Sequence, residues 1–207
     1  MKSVSKVRNL ELPGRSAQFL MSPPFRDELV KKMEDRIHQA KKAAVMVLFY
    51  PSISNETHLV LILRKTYKGV HSAQVGFPGG RVEMEDQSLL QTAIRETQEE
   101  VGVNQEDVVV LKSLTEVYIP PSNFIVHPFL GTLHYTPQFL KQDDEVEDVL
   151  EIPLLHFLDD ANVTTKPVQT SYNVEIEVPA FNLNNHVVWG ATAMMLNEVK
   201  VLLKQVI

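Results

Sequence analysis

Ala43 to Tyr50 is an unbroken run of eight apolar residues, and Leu59 to Leu63 is a second, shorter one. Pro51-Ser52 and Ser54-Asn55 lie between them as turn formers, so Ala44 to Tyr50 and Leu59 to Leu63 read as a pair of buried strands. Upstream, Leu29, Met33, Ile37 and Ala40 recur every three or four positions, the period of an amphipathic helix that covers a sheet. Residues 1–24 show no period and end in Ser22-Pro23-Pro24, so an irregular N-terminal arm is expected ahead of one domain at 25–207. Further strands are predicted at Asp107 to Leu111, Phe124 to Leu133 and Val174 to Val178. Helices are predicted from about Asp86 to Val101 and about Ala191 to Leu203. Strands and helices interleave without a repeat, which favours one mixed α/β domain over an all-α or all-β fold.

Composition narrows the function classes. The apolar share of 44% and charged share of 22% are those of a globular chain with a normal core. Eight consecutive apolar residues fall far short of the roughly 20 that a membrane-spanning helix needs. The N-terminal Met-Lys-Ser-Val-Ser-Lys-Val-Arg lacks the apolar stretch of a secretory signal, and the chain has no cysteine. A cytoplasmic protein with no membrane partner and no thiolate chemistry is therefore expected. The net charge is −6, but its distribution matters more. Arg81 to Glu100 carries −4 and Asp143 to Glu151 carries −6, so everything else sums to +4. A basic nucleic-acid surface is not suggested. Two concentrated acidic segments raise the question of a shared cation.

The first acidic segment carries the chemistry. Leu89 or Leu90, Ala93, Thr97 and Val101 define one helix face; Asp86 or Ser88 can cap its start, and Gly102 suits its left-handed end. Glu96, Glu99 and Glu100 then stand at i, i+3 and i+4 and project as one patch away from Ala93 and Val101. Such a patch suits a solvated face, where like charges cost helix stability, or a divalent cation, which reverses that cost. The Phe77-Pro78-Gly79-Gly80 turn before the helix, Arg95 beside Glu96 and the glycine stop favour the cation.

Arg95-Glu96-Thr97-Gln98-Glu99-Glu100-Val101-Gly102-Val103 resembles the second half of the Nudix hydrolase box, G-x5-E-x7-R-E-U-x-E-E-x-G-U, where U is bulky and apolar. The first half departs from it: Gln87 stands at the family's first glutamate and Arg81 at its glycine, with the glycine displaced to Gly80. This lengthened box at about 79–103, with Asp86 beside the lost glutamate, resembles the branch that hydrolyses coenzyme A. So does the approach from His71 to Gly80, apart from Ala73, although Gly69 replaces an arginine of that branch. The segment from Asp144 to Leu154 resembles the family's acidic strand, and Val188 to Ala193 resembles the turn that opens its last helix, so the resemblance spans about 42–205.

The resemblance implies a Nudix-like α/β/α sandwich with a mixed central sheet and a loop-helix-loop catalytic box. It implies Mg²⁺ or Mn²⁺ held by Glu96, Glu99, Glu100 and the Gly80 carbonyl, with Arg95 orienting the glutamates and Glu99 or Glu145 taking the proton of water. Arg64, Lys68, His71 and Arg81, with Lys65 in reserve, are the expected substrate contacts. Trp189, the only tryptophan, is expected in the core. The implied reaction cuts coenzyme A or acyl-CoA to 3′,5′-ADP and (acyl-)4′-phosphopantetheine. ADP-ribose, NADH or another nucleoside diphosphate derivative is the alternative substrate, and a non-catalytic binding module of the same fold is the second alternative. The sequence does not set the assembly state, monomer or homodimer.

Overall fold

The computed structural model describes residues 2–65, 74–169 and 175–207. The chain opens with α1 (Lys2–Ser5), α2 (Gly14–Phe19) and α3 (Arg26–Lys32). The centre of the fold is β1 (Lys41–Pro51), which pairs antiparallel with β2 (Thr57–Arg64) through a turn at Asn55, whose φ of 67° is left-handed. β3 (Val75–Gly76) continues the sheet beyond β2, and β4 (Gly79–Arg81) pairs with the start of β1. The chain then forms α4 (Leu89–Val101), β5 (Val109–Ser113), β6 (Val117–Ile119) and β7 (Phe124–Thr132). β7 lies parallel to β1, whereas β5, β6 and β8 (Val146–Pro153) join antiparallel, so the sheet is mixed. After α5 (Leu154–Leu158) come β9 (Val163–Gln169), β10 (Glu175–Leu183) and β11 (His186–Trp189), which form a separate antiparallel sheet, and then α6 (Gly190–Leu203).

The two faces of β1 explain its unbroken apolar run. Ala43, Val47 and Phe49 share a core with Leu196, Val199 and Leu203 of α6. Ala44, Met46, Leu48 and Tyr50 share the other with Ala93 and Val101 of α4. A strand covered on both sides needs apolar residues at every position, and α4 and α6 supply the outer layers of the α/β/α sandwich.

Three expectations change. Residues 1–24 are not irregular: they include α1 and α2, and Val4, Val7, Ala17 and Met21 are buried. Segments of four and six residues are too short to display a period. The periodic stretch from Leu29 to Ala40 is not one helix covering the sheet. It is the end of α3 followed by a 3₁₀ segment, Glu34–Gln39, and neither element has a fully buried residue. Met33, at φ −108° and ψ 8°, breaks the helical path between them. β3, β4, β6, β9 and β11 add strands that the apolar pattern did not mark, β8 is expected only from the family resemblance, and β10 continues the predicted Val174 strand to Leu183, Val174 itself lying outside the described residues.

Candidate active site

The catalytic helix begins where the Ser88 side chain accepts a hydrogen bond from the Gln91 N–H at 3.2 Å, and it ends at Gly102, whose φ of 74° a side chain would strain. Gln91 completes a displaced capping box: its side-chain oxygen accepts from the Gln87 N–H at 2.8 Å. Asp86 is therefore free of the cap and has another task. Its carboxylate takes a bidentate contact from Arg95, Nε and Nη2 each at 3.0 Å, and accepts from the Thr92 hydroxyl at 2.8 Å. Its side chain is 1% exposed, and the Arg95 hydrogen bonds hold its pKa down at about 2.

Arg95 extends that clamp to the acidic face. Nη1 reaches Glu99 at 2.9 Å, and Nη2 reaches Glu96 at 3.1 Å and the Arg81 carbonyl at 3.1 Å. One guanidinium thus ties the loop, the helix and β4 together with charge-assisted bonds of ordinary length. The Arg95 pKa is raised accordingly, chiefly by Asp86.

Glu96 lies directly on Gly80: a Cβ built there would sit 2.4 Å from the Glu96 carboxylate, so only glycine leaves that space open. Burial raises the Glu96 pKa, Arg95 opposes this, and the charges of Glu99 and Glu145 add to it. Glu100 does not share the exposed patch that helical spacing suggested. It is 1% exposed, accepts from the Gly79 N–H at 2.7 Å and faces Arg64 Nη1 at 3.3 Å. The strand–turn at Gly79 passes over this side of α4 and covers it. Burial pushes its pKa up to about 7 against the pull of Arg64 and the Gly79 N–H, with Glu96 and Glu145 raising it further.

Glu145 reaches the same place from the second acidic segment. Its carbonyl accepts from the Lys65 N–H at 2.9 Å, and its carboxylate, 54% exposed, lies 3.9 Å from Arg64 Nη2. Glu96, Glu99, Glu100, Glu145, Gly80, Arg64 and Arg81 line one cavity of about 920 Å³. The cavity continues past Phe25, Phe124 and Trp189, long enough for an extended ligand. Trp189 is only partly buried there, with Lys166 Nζ 5.6 Å from its ring centre, so its expected core position is corrected. The turn that opens α6 brings the ring to the cavity rim. Lys68 and His71 lie outside the described residues. The sequence reading missed Asp86 as the anchor of Arg95; its signal was the acid beside the displaced glutamate position.

The donor set fits a hard divalent cation. Four carboxylates line one wall, where Glu99 and Glu145 disfavour the charge of Glu96, and Glu96 and Glu145 that of Glu100; the Gly80 backbone adjoins them without a side chain. Among the described residues, however, no three acidic or imidazole side chains form a ready-made ligand triad. Arg64 and Arg95 already draw Glu100, Glu96 and Glu99 toward themselves, and a cation would compete with those contacts.

A mixed-sheet sandwich that presents a carboxylate-bearing helix behind a glycine turn, inside one cavity, is the arrangement of a Nudix-type hydrolase. The NUDIX domain pattern matches residues 40–170, and the chain belongs to that family. It is 32% identical over 155 residues to the peroxisomal coenzyme A diphosphatase ndx-8 of Caenorhabditis elegans, covering 74% of this chain and 64% of that protein. It is 30% identical over 162 residues to the mitochondrial coenzyme A diphosphatase NUDT8 of Homo sapiens, covering 77% and 69%. The match to ndx-8 thus spans a little under two thirds of that protein's length. The crystal structure of a MutT/nudix family protein from Enterococcus faecalis superimposes with a TM-score of 0.54 at 18% identity, over 84% of this chain and 72% of that one, which supports the fold.

Proposed function

We propose that this Nudix hydrolase cleaves the diphosphate linkage of coenzyme A or acyl-CoA, giving 3′,5′-ADP and (acyl-)4′-phosphopantetheine, with Mg²⁺ or Mn²⁺ as cofactor. The observation that carries the reading is the convergence of Glu96, Glu99, Glu100, Glu145 and Gly80 on one long cavity, in a chain similar to coenzyme A diphosphatases. A diphosphate offers no carbonyl to polarise, so its hydrolysis depends on positioning and on charge neutralisation. Bound cation supplies that neutralisation and acidifies water. Glu96 and Glu100, one turn apart, are assigned to one ion with the Gly80 carbonyl, and Glu99 to a second.

Arg95 acts as a positioning residue, since it holds Glu96 and Glu99 while Asp86 holds it. Glu145 is assigned to receive the proton of the attacking water. Its only ion-pair partner among the described residues is 3.9 Å away, whereas Glu99 is fixed by Arg95 at 2.9 Å. Arg64, Lys68, His71 and Arg81 are the proposed contacts for the substrate's phosphates. Residues 25–207 constitute the catalytic domain in this reading, with 1–24 as its packed arm. No helix among the described residues is long and apolar enough to cross a membrane; a cytoplasmic site of action is part of the proposal.

The test is a panel of initial rates with Mg²⁺: coenzyme A, dephospho-coenzyme A, ADP-ribose and NADH. Coenzyme A is expected to exceed dephospho-coenzyme A in kcat/KM by about 5- to 20-fold, the worth of one phosphate contact at a partly exposed site. Faster ADP-ribose or NADH cleavage supports the alternative substrates instead. Binding without turnover of any member supports a non-catalytic module.

A further inference from the structure

The two arginines of the site are held differently. Arg95 contacts Asp86, Glu99 and the Arg81 carbonyl at 2.9 to 3.1 Å and its side chain is 16% exposed. Arg64 meets Glu100 at 3.3 Å, the Gly79 carbonyl at 3.5 Å and Glu145 at 3.9 Å, and is 26% exposed. Every contact of the Arg95 guanidinium closes within 3.1 Å, inside the ordinary N–H···O range, whereas among the described residues none of the Arg64 guanidinium's is shorter than 3.3 Å, so Arg95 is fastened and Arg64 only leans on its partners. Arg64 also stands where the register of β2 and β8 shifts, between Leu63 and Arg64, an irregularity that re-aims a side chain out of the ladder. Glu100 does not depend on Arg64 for its place, because the Gly79 N–H holds it at 2.7 Å.

We propose that Arg64 is the exchangeable counter-ion of the carboxylate wall: it pairs with Glu100 and leans on Glu145 in the metal-free protein and, when a divalent cation takes Glu100, leaves Glu145 free and turns its guanidinium to the diphosphate of the substrate. The inference rests on the metal-dependent reading above but not on which diphosphate is cut. Among the described residues Arg64 is the one basic side chain paired with Glu100, while Arg95 holds Glu96 and Glu99. A divalent ion in place of Arg64 supplies more charge at Glu100, and the freed fork suits two phosphate oxygens. One side chain thereby serves both states, and the cavity keeps a cation next to Glu100 at all times.

The test measures Mn²⁺ affinity without substrate, by the loss of the free-ion electron paramagnetic resonance signal, for the full chain and for Arg64→Met and Arg64→Lys. Removing a competing unit charge a few ångströms from the ion should tighten Mn²⁺ binding about ten-fold in Arg64→Met, with Arg64→Lys in between. On the Mn²⁺-saturated proteins, α,β-methylene-ADP, which cannot be cut at its bridge, should bind Arg64→Met about ten-fold more weakly than the parent. Weaker Mn²⁺ binding in Arg64→Met would mean that Arg64 positions the carboxylates, and would overturn the proposal, as would unchanged affinities for both probes. If Arg64→Met fails to fold, the same two affinities measured on Arg64→Lys decide between these outcomes. A parent protein that binds no Mn²⁺ overturns this inference and the metal-dependent reading together. Tight Mn²⁺ binding with the expected changes, but no cleavage of coenzyme A, leaves the inference standing and removes only the substrate assignment.

Discussion

Asp86→Asn removes one charge and little volume, at the point where the loop, α4 and β4 are tied by Arg95. The Asp86 carboxyl is held near 2 instead of 3.8, which corresponds to about 2 kcal/mol of stability at neutral pH. The pair is covered but lies close to the surface, so solvent screening leaves about 1 to 2 kcal/mol of this. For a chain of 207 residues, that lowers Tm by about 2 to 8 °C. The pKa is depressed, so this stability is present above pH 3.8 and is lost as pH falls towards 2. Melting curves of the parent and Asp86→Asn should therefore be separated at pH 7 and converge near pH 2. Turnover should fall about 10- to 100-fold, the usual cost of releasing a residue that orients metal-site carboxylates. Gln87→Ala, at the position where the family pattern has its first glutamate, should stay within about 0.5 kcal/mol of the parent. If Gln87→Ala loses stability and activity while Asp86→Asn melts within about 1 °C of the parent, the assignment of Asp86 as the anchor is wrong.

Gly80→Ala pushes a methyl into the Glu96 carboxylate, a flexible end, so turnover should drop by at least about ten-fold with little change in Tm. Gly79→Ala meets the Ala44 carbonyl and the Val45 backbone instead, at a φ of +149°, and should lose Tm as well as activity; a Gly79→Ala protein as stable as the parent contradicts the packing described. Glu145→Gln should lower kcat about 100-fold and Glu147→Gln hardly at all, measured as pH-rate profiles; equal small effects would reduce Glu145 to a solvated edge residue. Glu147 and not Glu151 serves as the control, because the Tyr50 hydroxyl donates to Glu151. Burial raises the Glu100 pKa to about 7, so its contribution to stability is complete below about 4.5 and is lost as pH rises to 7. In chelator, the parent should lose Tm between pH 5 and 7 relative to Glu100→Gln, and parallel curves would contradict that burial.

The most legible parts of the chain were those where one rule acts alone. α4 announced itself through Ala93, Thr97 and Val101, and its cap and stop, Ser88 and Gly102, were written beside it. β1 and β2 followed from continuous apolar runs because both faces are covered. β4 carried no such signal: Gly79-Gly80-Arg81 has no apolar alternation, and it is a strand because β1 offers it partners. Helical spacing placed Glu100 beside Glu96 correctly but could not reveal that the turn at Gly79 covers Glu100 and leaves Glu96 partly exposed. Asp86 escaped because its role depends on a bidentate contact nine positions away, across a loop whose path no periodicity describes. Trp189 carries a large apolar ring that reads as core, and only the turn into α6 brings it to the cavity wall.

Mass-spectrometric analysis of the products formed from coenzyme A in Mg²⁺ tests the central claim most directly. The expected products are 3′,5′-ADP and 4′-phosphopantetheine in equal amounts, absent when the cation is chelated and absent with Glu100→Gln. Intact coenzyme A, or dephospho-coenzyme A as the product in place of a cut diphosphate, would contradict it.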